Sequence, residues 1–450
     1  MAVELQAVVM AVGGGSRMVE LTTGIPKPFL PVGNKPLLWY PLNLLERAGF
    51  EGGWLGMMGV GAAPSSPGPT ISLDLSSSPS PIANDMSFIC GLFRIEGAMK
   101  SDVLVISCDL ITEVALHEVV DLFRAHNATL SMLMQKAPKS SENIPGQKGK
   151  QKAAEERDFI GVDDTGKRIL LLANEEDLDD GLDVKKCILQ RYPRVHIHMG
   201  MVDAHLYCLK KYVVDFLVAN VSISSIRREL VPFLVQKQFS SHALSPKKLE
   251  HLDNKETKPH DIYSFITEDN LMDTALSMSC WNDHRGDMRE PYHGSRLRCY
   301  VHVAKNELCC RVNSLATYIE ANRQVPRLLC AVTEDPRIHA SAVLTDKLMV
   351  GVDSMIGAQT QIGEKTSIKH SLLGSNCSIR ERVKITNCII MNGVTVHEGC
   401  SLQGSVICNN VVIESAADIK DCLLGPDLRV SSKAKRFNEI IMGTEQLMEI

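Results

Sequence analysis

The chain has 450 residues, of which 44% are apolar and 22% charged, and its formal net charge is −5. That leaves room for two or three soluble globular domains and gives no electrostatic reason to expect nucleic-acid binding. No apolar run approaches the ~20 residues that a bilayer-spanning helix needs. The 14 cysteines have no C-x-x-C spacing, and Met1–Met10 lacks the basic-then-apolar layout of a leader. These features predict reduced thiols, no zinc site and a cytosolic protein.

Ala7–Val12 is a continuous apolar run, the pattern of a strand buried on both faces of a parallel sheet. Gly13-Gly14-Gly15-Ser16-Arg17 follows. Residues without a Cβ let successive N–H groups turn toward an anion, and the guanidinium of Arg17 suits a phosphate. Pro26-Lys27-Pro28 braces one ammonium in an extended segment, and Asn34-Lys35-Pro36 leads into a helix expected over Leu37–Ala48. A glycine run by itself reads more simply as a flexible turn between strand and helix.

The full spacing is more specific than the glycines. It resembles the opening of the sugar-phosphate nucleotidyltransferase family, close to AGGxGTRLxPLTxxxPKPLLPVxxKPLI. Ala11, Gly13, Gly15, Ser16, Arg17, Leu21, Thr22, Pro26-Lys27-Pro28, Leu30-Pro31-Val32 and Lys35-Pro36 fall in its register without a gap. Together with the C-terminal repeats, the wording looks most like one branch of that family, the nucleotidyltransferase-like subunits of eukaryotic translation initiation factor 2B. The resemblance implies an α/β Rossmann-like domain over about 1–330, with Gly13, Gly14, Gly15, Arg17 and Lys27 as nucleotide-binding residues.

Beyond Phe50, glycine, serine and proline recur so often in 51–84 that no regular second strand is expected at Phe50–Val60. The family's Gly-Thr-Ala motif would fall near Ser87-Phe88-Ile89 and is absent. Residues 51–100 therefore read as an altered or disordered segment, either a splice or frame variant or a lineage-specific insertion. Order returns with Asp102–Leu110, a buried strand reaching Asp109. Ligands of open α/β sheets bind at such strand ends, and the resemblance implies that Asp109 holds magnesium, while a cap on the helix Val114–Ala125 is the plainer reading.

Ala128–Met134 is the next expected strand, and 136–157 and 240–259 read as lysine-rich surface loops. Phe159–Val162 and Arg168–Leu172 form an expected hairpin around Asp163–Lys167. Arg194–Tyr207 is a strand in which His196, His198 and His205 read as packing or exposed residues rather than metal ligands, with a helix over Cys208–Val218. A helix over Ser222–Gln238, starting at Ser224 or Ser225, then a strand at Cys299–Ala304 and a helix at Ser314–Gln324, close the domain.

From Gly357 the chain repeats with a period of 17 residues. Ile362, Ile379, Val396, Ile413 and Val430 form one apolar column. Ile368, Ile385, Leu402 and Ile419 form a second, and Leu373, Ile390, Ile407 and Leu424 a third. Steps of six, six and five residues give three short strands per coil, the signature of a parallel β-helix over about 336–432. The family resemblance supplies its left-handed sense. Cys377, in column with Thr360, Val394 and Val411, and Cys388, in column with Cys422, read as small packing residues. Residues 433–450 carry Phe437, Ile440, Ile441, Leu447 and Met448 at roughly helical spacing and are expected to cap the helix or dock on a partner.

Three functional classes remain. An active nucleotidyltransferase, similar to GDP-mannose pyrophosphorylase, would use Arg17 and Lys27 on the departing pyrophosphate and Asp109 on magnesium. Val12 and Glu20 depart from the family pattern, and neither Gly-Thr-Ala nor Glu-Lys-Pro is present. A β-helix acyltransferase would need a histidine such as His370 or His397 in a recognisable setting. The resemblance to initiation factor 2B favours the third class, a subunit with no catalytic residues, no required cofactor and at most a vestigial nucleotide and Mg2+. Its implied partners are a homologous epsilon subunit bearing the exchange activity, the alpha, beta and delta regulatory subunits, and initiation factor 2 with its guanine nucleotide.

Overall fold

The computed structural model describes residues 5–11, 16–50, 53–57, 72–73, 99, 101–137, 145, 157–174, 184–220, 222–239, 261–266, 296–305, 307–332, 337–344, 349–351 and 353–443. They divide into two compact units. One holds the first strand and most of 41–309; the other holds Gly14–Tyr40 together with Cys310 onward.

The first unit is built on a nine-stranded mixed sheet. Leu5–Ala11 lies at its centre, buried except at Gln6, and pairs in parallel with Asp102–Ser107. On its other side it pairs, also in parallel, with Gly53–Met57, which in turn pairs with Ser72–Leu73. This corrects the expectation that 51–84 holds no regular strand. A central parallel strand presents a full row of donors and acceptors, and pairing with Leu5–Ala11 outweighs the poor strand propensity of Gly53 and Gly56. The region of the absent Gly-Thr-Ala motif, Ser87–Ile89, lies outside the described residues, as does most of the two lysine-rich loops.

The long strand His196–Leu209 runs antiparallel to Asp102–Ser107, Leu130–Lys136 and Asp158–Val162. Asp158–Val162 and Ile169–Asn174 form the expected hairpin. Helix Leu116–Ala125 buries Leu116, Val119, Val120, Leu122 and Phe123, one stripe at helical spacing. Helix Lys211–Ala219 does the same with Val213, Val214, Phe216 and Leu217, starting three residues later than Cys208 because the strand continues through Leu209. Ser225 caps the next helical segment by accepting from the Arg228 N–H at 3.2 Å. Arg227 then reaches Asp158 with a forked contact at 3.1 and 3.0 Å.

The second unit is dominated by a parallel β-solenoid whose three faces are six-stranded sheets. All three apolar columns are aligned residue on residue and buried. From Gly357 onward each coil turns three corners, and a left-handed residue sits at each one. Gln359, Asn376, Gly393, Asn410 and Asp427 make one such column; Lys365, Arg382, Gly399, Ala416 and Lys433 a second; His370, Asn387, Gly404, Asp421 and Asn438 a third. One coil precedes the repeats at Gly357, with strands Val343–Leu344, Met349–Val350 and Met355–Ile356.

The last coil, which begins with Arg429–Val430, runs past the expected end. Lys435–Phe437 and Ile440–Ile441 pair in parallel with Asp418–Lys420 and Leu423–Leu424. Lys435–Phe437 and Ile440–Ile441 are therefore strands, which corrects the helical cap expected after 432; 444–450 lie outside the described residues. The solenoid's open edge templates its own pairing, which outweighs the local helical spacing. Arg436 stands in the column of Ile419 but is exposed and meets Glu439 at 3.4 Å.

Helix Leu315–Val332 belongs to the same unit. Ser314 and Thr317 cap it reciprocally: the Ser314 N–H donates to Thr317 Oγ1 at 2.9 Å and the Thr317 N–H to Ser314 Oγ at 3.3 Å. Its Leu315, Tyr318, Ile319 and Val325 are buried.

Candidate functional site

Asp109 lies in a tight turn after the strand Asp102–Ser107. It is buried, and Ser107 Oγ donates to its Oδ1 at 2.6 Å. The Cys108 N–H donates to the Met10 carbonyl at 3.0 Å, which ties this turn to the end of the first strand. The carboxylate thus stands at the carboxyl edge of the sheet, next to where the chain leaves Ala11 for the glycines. It does not cap the following helix, whose N-cap is Ala115 and whose entry is held by Thr112 Oγ1 accepting from the Val114 N–H.

A second buried carboxylate shares that end of the sheet, and sequence reasoning missed it. The antiparallel register of Leu206 on Ile106 carries Asp203 past the end of Asp102–Ser107. Its oxygens accept from the His205 N–H at 2.7 Å and from Tyr207 Oη. Those bonds hold the bulge that His205 makes with φ 54°. A polar residue next to a strand irregularity was the available signal. Among the described residues, no group of three His, Cys, Asp or Glu is placed to hold a metal ion. His196 is exposed, 3.5 Å from Asp164, and His205 sits beside the Tyr207 ring. Asp109 could supply one carboxylate to a magnesium ion, which commonly keeps water and phosphate among its other ligands.

Gly13, Gly14 and Gly15 lie outside the described residues. Arg17 is exposed in the 3-10 turn Ser16–Met18, whose Met18 is buried. Lys27 opens the 3-10 turn Lys27–Phe29, braced by Pro26 ahead of it and the buried Pro28 behind. The chain then doubles back. Pro31–Val32 pairs antiparallel with Lys35–Pro36 across Gly33 and Asn34, both left-handed at φ 57° and 62°. This is the two-residue primed turn that closes a hairpin tightly. The Leu37 and Leu38 N–H groups donate to the carbonyls of Leu30 and Pro28 at 3.0 and 2.9 Å, so the lysine loop is a compact knot rather than an open strap.

That knot is pinned within its unit. Tyr40 Oη donates to the Val32 carbonyl at 2.7 Å and Tyr318 Oη to the Pro31 carbonyl at 2.8 Å. Burial pushes both phenols far above their usual range. Neither Tyr318 nor Asn322 was marked out in the sequence, because their backbone partners lie 287 and 289 residues away along the chain. The same unit has a cleft of about 190 Å³ between Ile319, Asn322 and Arg323 of the helix and Asp353, His370 and Asn387 of the solenoid. His370 Nδ1 lies 3.3 Å from Asp353.

Comparison with known families divides along the chain. Residues 6–55 match a nucleotidyl transferase family model, and 337–435 match that of the EIF2B subunit epsilon LbH domain. Translation initiation factor eIF2B subunit gamma of Schizosaccharomyces pombe is 27% identical over 81% of this chain and 74% of its own length. The Dictyostelium discoideum gamma subunit is 24% identical over 82% of the chain and 87% of its length. Over most of its length the chain is homologous to eIF2B gamma subunits. The Caenorhabditis elegans gamma subunit adds 28% identity over 52% of the chain and 59% of its own length. The fold is thus a nucleotidyl transferase domain followed by a left-handed β-helix of about six coils, and the solenoid matches a domain model from eIF2B itself.

Proposed function

We propose that the chain is a non-catalytic subunit of a translation initiation factor 2B complex, promoting GDP/GTP exchange on initiation factor 2 in the cytosol. In this reading a homologous epsilon subunit carries the exchange activity, and alpha, beta and delta subunits complete the assembly. The observation that carries it is the extent of similarity: the gamma subunit of S. pombe aligns over 81% of the chain, whereas the nucleotidyl transferase model matches residues 6–55 alone. The absence of Glu-Lys-Pro removes the lysine that a catalytic relative sets on the sugar phosphate. In this reading Gly13, Gly14, Gly15, Arg17 and Lys27 are vestigial nucleotide-binding residues, Asp109 is a vestigial Mg2+ residue, and no cofactor is required.

The test is co-purification with an epsilon-type subunit, together with pyrophosphate release from GTP or ATP and a panel of hexose 1-phosphates. Stable association without turnover is expected. Turnover in the ordinary enzymatic range, ~1–10³ s⁻¹, would establish the alternative, an active sugar-phosphate nucleotidyltransferase. The in-register Arg17 and Lys27 are the observation that keeps that alternative in view.

A further inference from the structure

The Gly33–Asn34 turn is held by groups that a two-residue hairpin does not need. The Gly33 N–H donates to Asn322 Oδ1 at 3.1 Å, and Asn34 Nδ2 donates to the Leu373 carbonyl at 2.9 Å. Asn322 is buried in the helix Leu315–Val332, and its Nδ2 donates to the Tyr318 carbonyl at 2.9 Å, which fixes the side chain's orientation. Leu373 belongs to an inward column of the solenoid, and its carbonyl also accepts from the Gly357 N–H at 2.9 Å. A primed turn closes a hairpin on its own backbone geometry. External bonds to it therefore set where the hairpin sits, not whether it forms.

We infer that Asn322 is a positioning residue for the lysine loop, placing Lys27 and Lys35 through the Gly33 N–H while the solenoid steadies the same turn through Asn34. This deepens, and rests on, the reading of the loop as a phosphate site. The loop's cations thus take their places from the C-terminal half of the chain. A buried amide that satisfies one backbone donor and one backbone acceptor is a stiff link, since breaking either bond strands a polar group out of water.

The test is hydrogen exchange on the full-length chain, comparing Asn322→Leu, Tyr318→Phe and Asn34→Ala. Asn322→Leu should raise exchange of the Phe29–Tyr40 amides about tenfold or more while the coils over 377–413 stay protected. Unchanged exchange in the loop overturns the inference. If Asn322→Leu also exposes the coils, the two milder variants decide: a rise confined to the loop supports the inference, and no rise in either overturns it. Binding of a fluorescent GTP analogue with magnesium provides a second readout. Weaker binding in the variants supports both readings. A wild-type chain that binds none, with loop exchange still raised in the variants, ends the phosphate reading and leaves the positioning role standing.

Discussion

The backbone N–H of Cys388 donates to Ser371 Oγ at 3.1 Å, exactly one coil of 17 residues away. Cys422 repeats the contact on Ser405 at the same distance. Within each coil the side chain at this position turns back on the corner before it. Ser371 Oγ and Ser405 Oγ donate to the Lys369 and Gln403 carbonyls, and Cys388 Sγ and Cys422 Sγ to those of Thr386 and Lys420. Serine and cysteine therefore alternate at one position because either satisfies the corner.

Cys388→Ser and Cys422→Ser should each change stability by less than about 1 kcal/mol, because the hydroxyl makes the same bond in the same volume. Cys388→Leu should cost about 1–3 kcal/mol by overpacking. Chemical denaturation of the three variants measures this. Burial pushes the Cys388 and Cys408 thiols up to about 12 from 9.0. Between those pH values the unfolded thiols ionise and the folded ones do not, so stability should fall as pH rises from 9 toward 12. Thiol labelling at neutral pH should find these two cysteines unreactive until the chain is unfolded.

Val396→Asp should destabilise the solenoid by about 3 kcal/mol or more. Val396 is fully buried between Ile379 and Ile413, and an aspartate there has no partner and no water. Thermal melting and co-purification with the epsilon-type partner both report on it. Wild-type behaviour in both would contradict the coil register.

Ala416→Gly is expected to stabilise the chain. Ala416 is exposed at a corner with φ 59°, where a Cβ costs roughly 1–2 kcal/mol. The extra freedom of glycine in the unfolded chain offsets about 0.5–1 kcal/mol of that. A net gain on the order of 0.5 kcal/mol should appear as a higher denaturation midpoint with an unchanged slope.

His126 gives the first unit an acid-sensitive element. Its ring stacks on Tyr300 with centroids 4.4 Å apart. Desolvation, then Lys167, lowers its pKa below 6.5, against the opposing influence of Asp163. The folded state therefore binds this proton less readily than the unfolded chain. The contribution is fully present above pH 6.5 and is lost as pH falls through the lowered value. His126→Phe should keep the stack and flatten the pH dependence of the melting temperature over that range.

The sequence by itself determined the solenoid, because a period of 17 repeats the same burial requirement in every coil and aligned columns have one way to stack. It also determined the central strand, expected over Ala7–Val12 and found over Leu5–Ala11, and the strand leading to Asp109, expected over Asp102–Leu110 and found over Asp102–Ser107, since a strand buried on both faces is apolar without interruption. The corner columns were harder to read, because lysine, arginine and histidine occupy left-handed positions that glycine and asparagine advertise more clearly. Tertiary structure alone decided three features. Gly53–Met57 is a strand because a neighbour supplies its hydrogen bonds. Lys435–Phe437 and Ile440–Ile441 are strands because the coil beneath them offers its unpaired edge as a template. Asn322 holds Gly33 because folding brings together groups 289 residues apart, and a hydrogen bond to a backbone N–H leaves no mark on the identity of the residue that donates it.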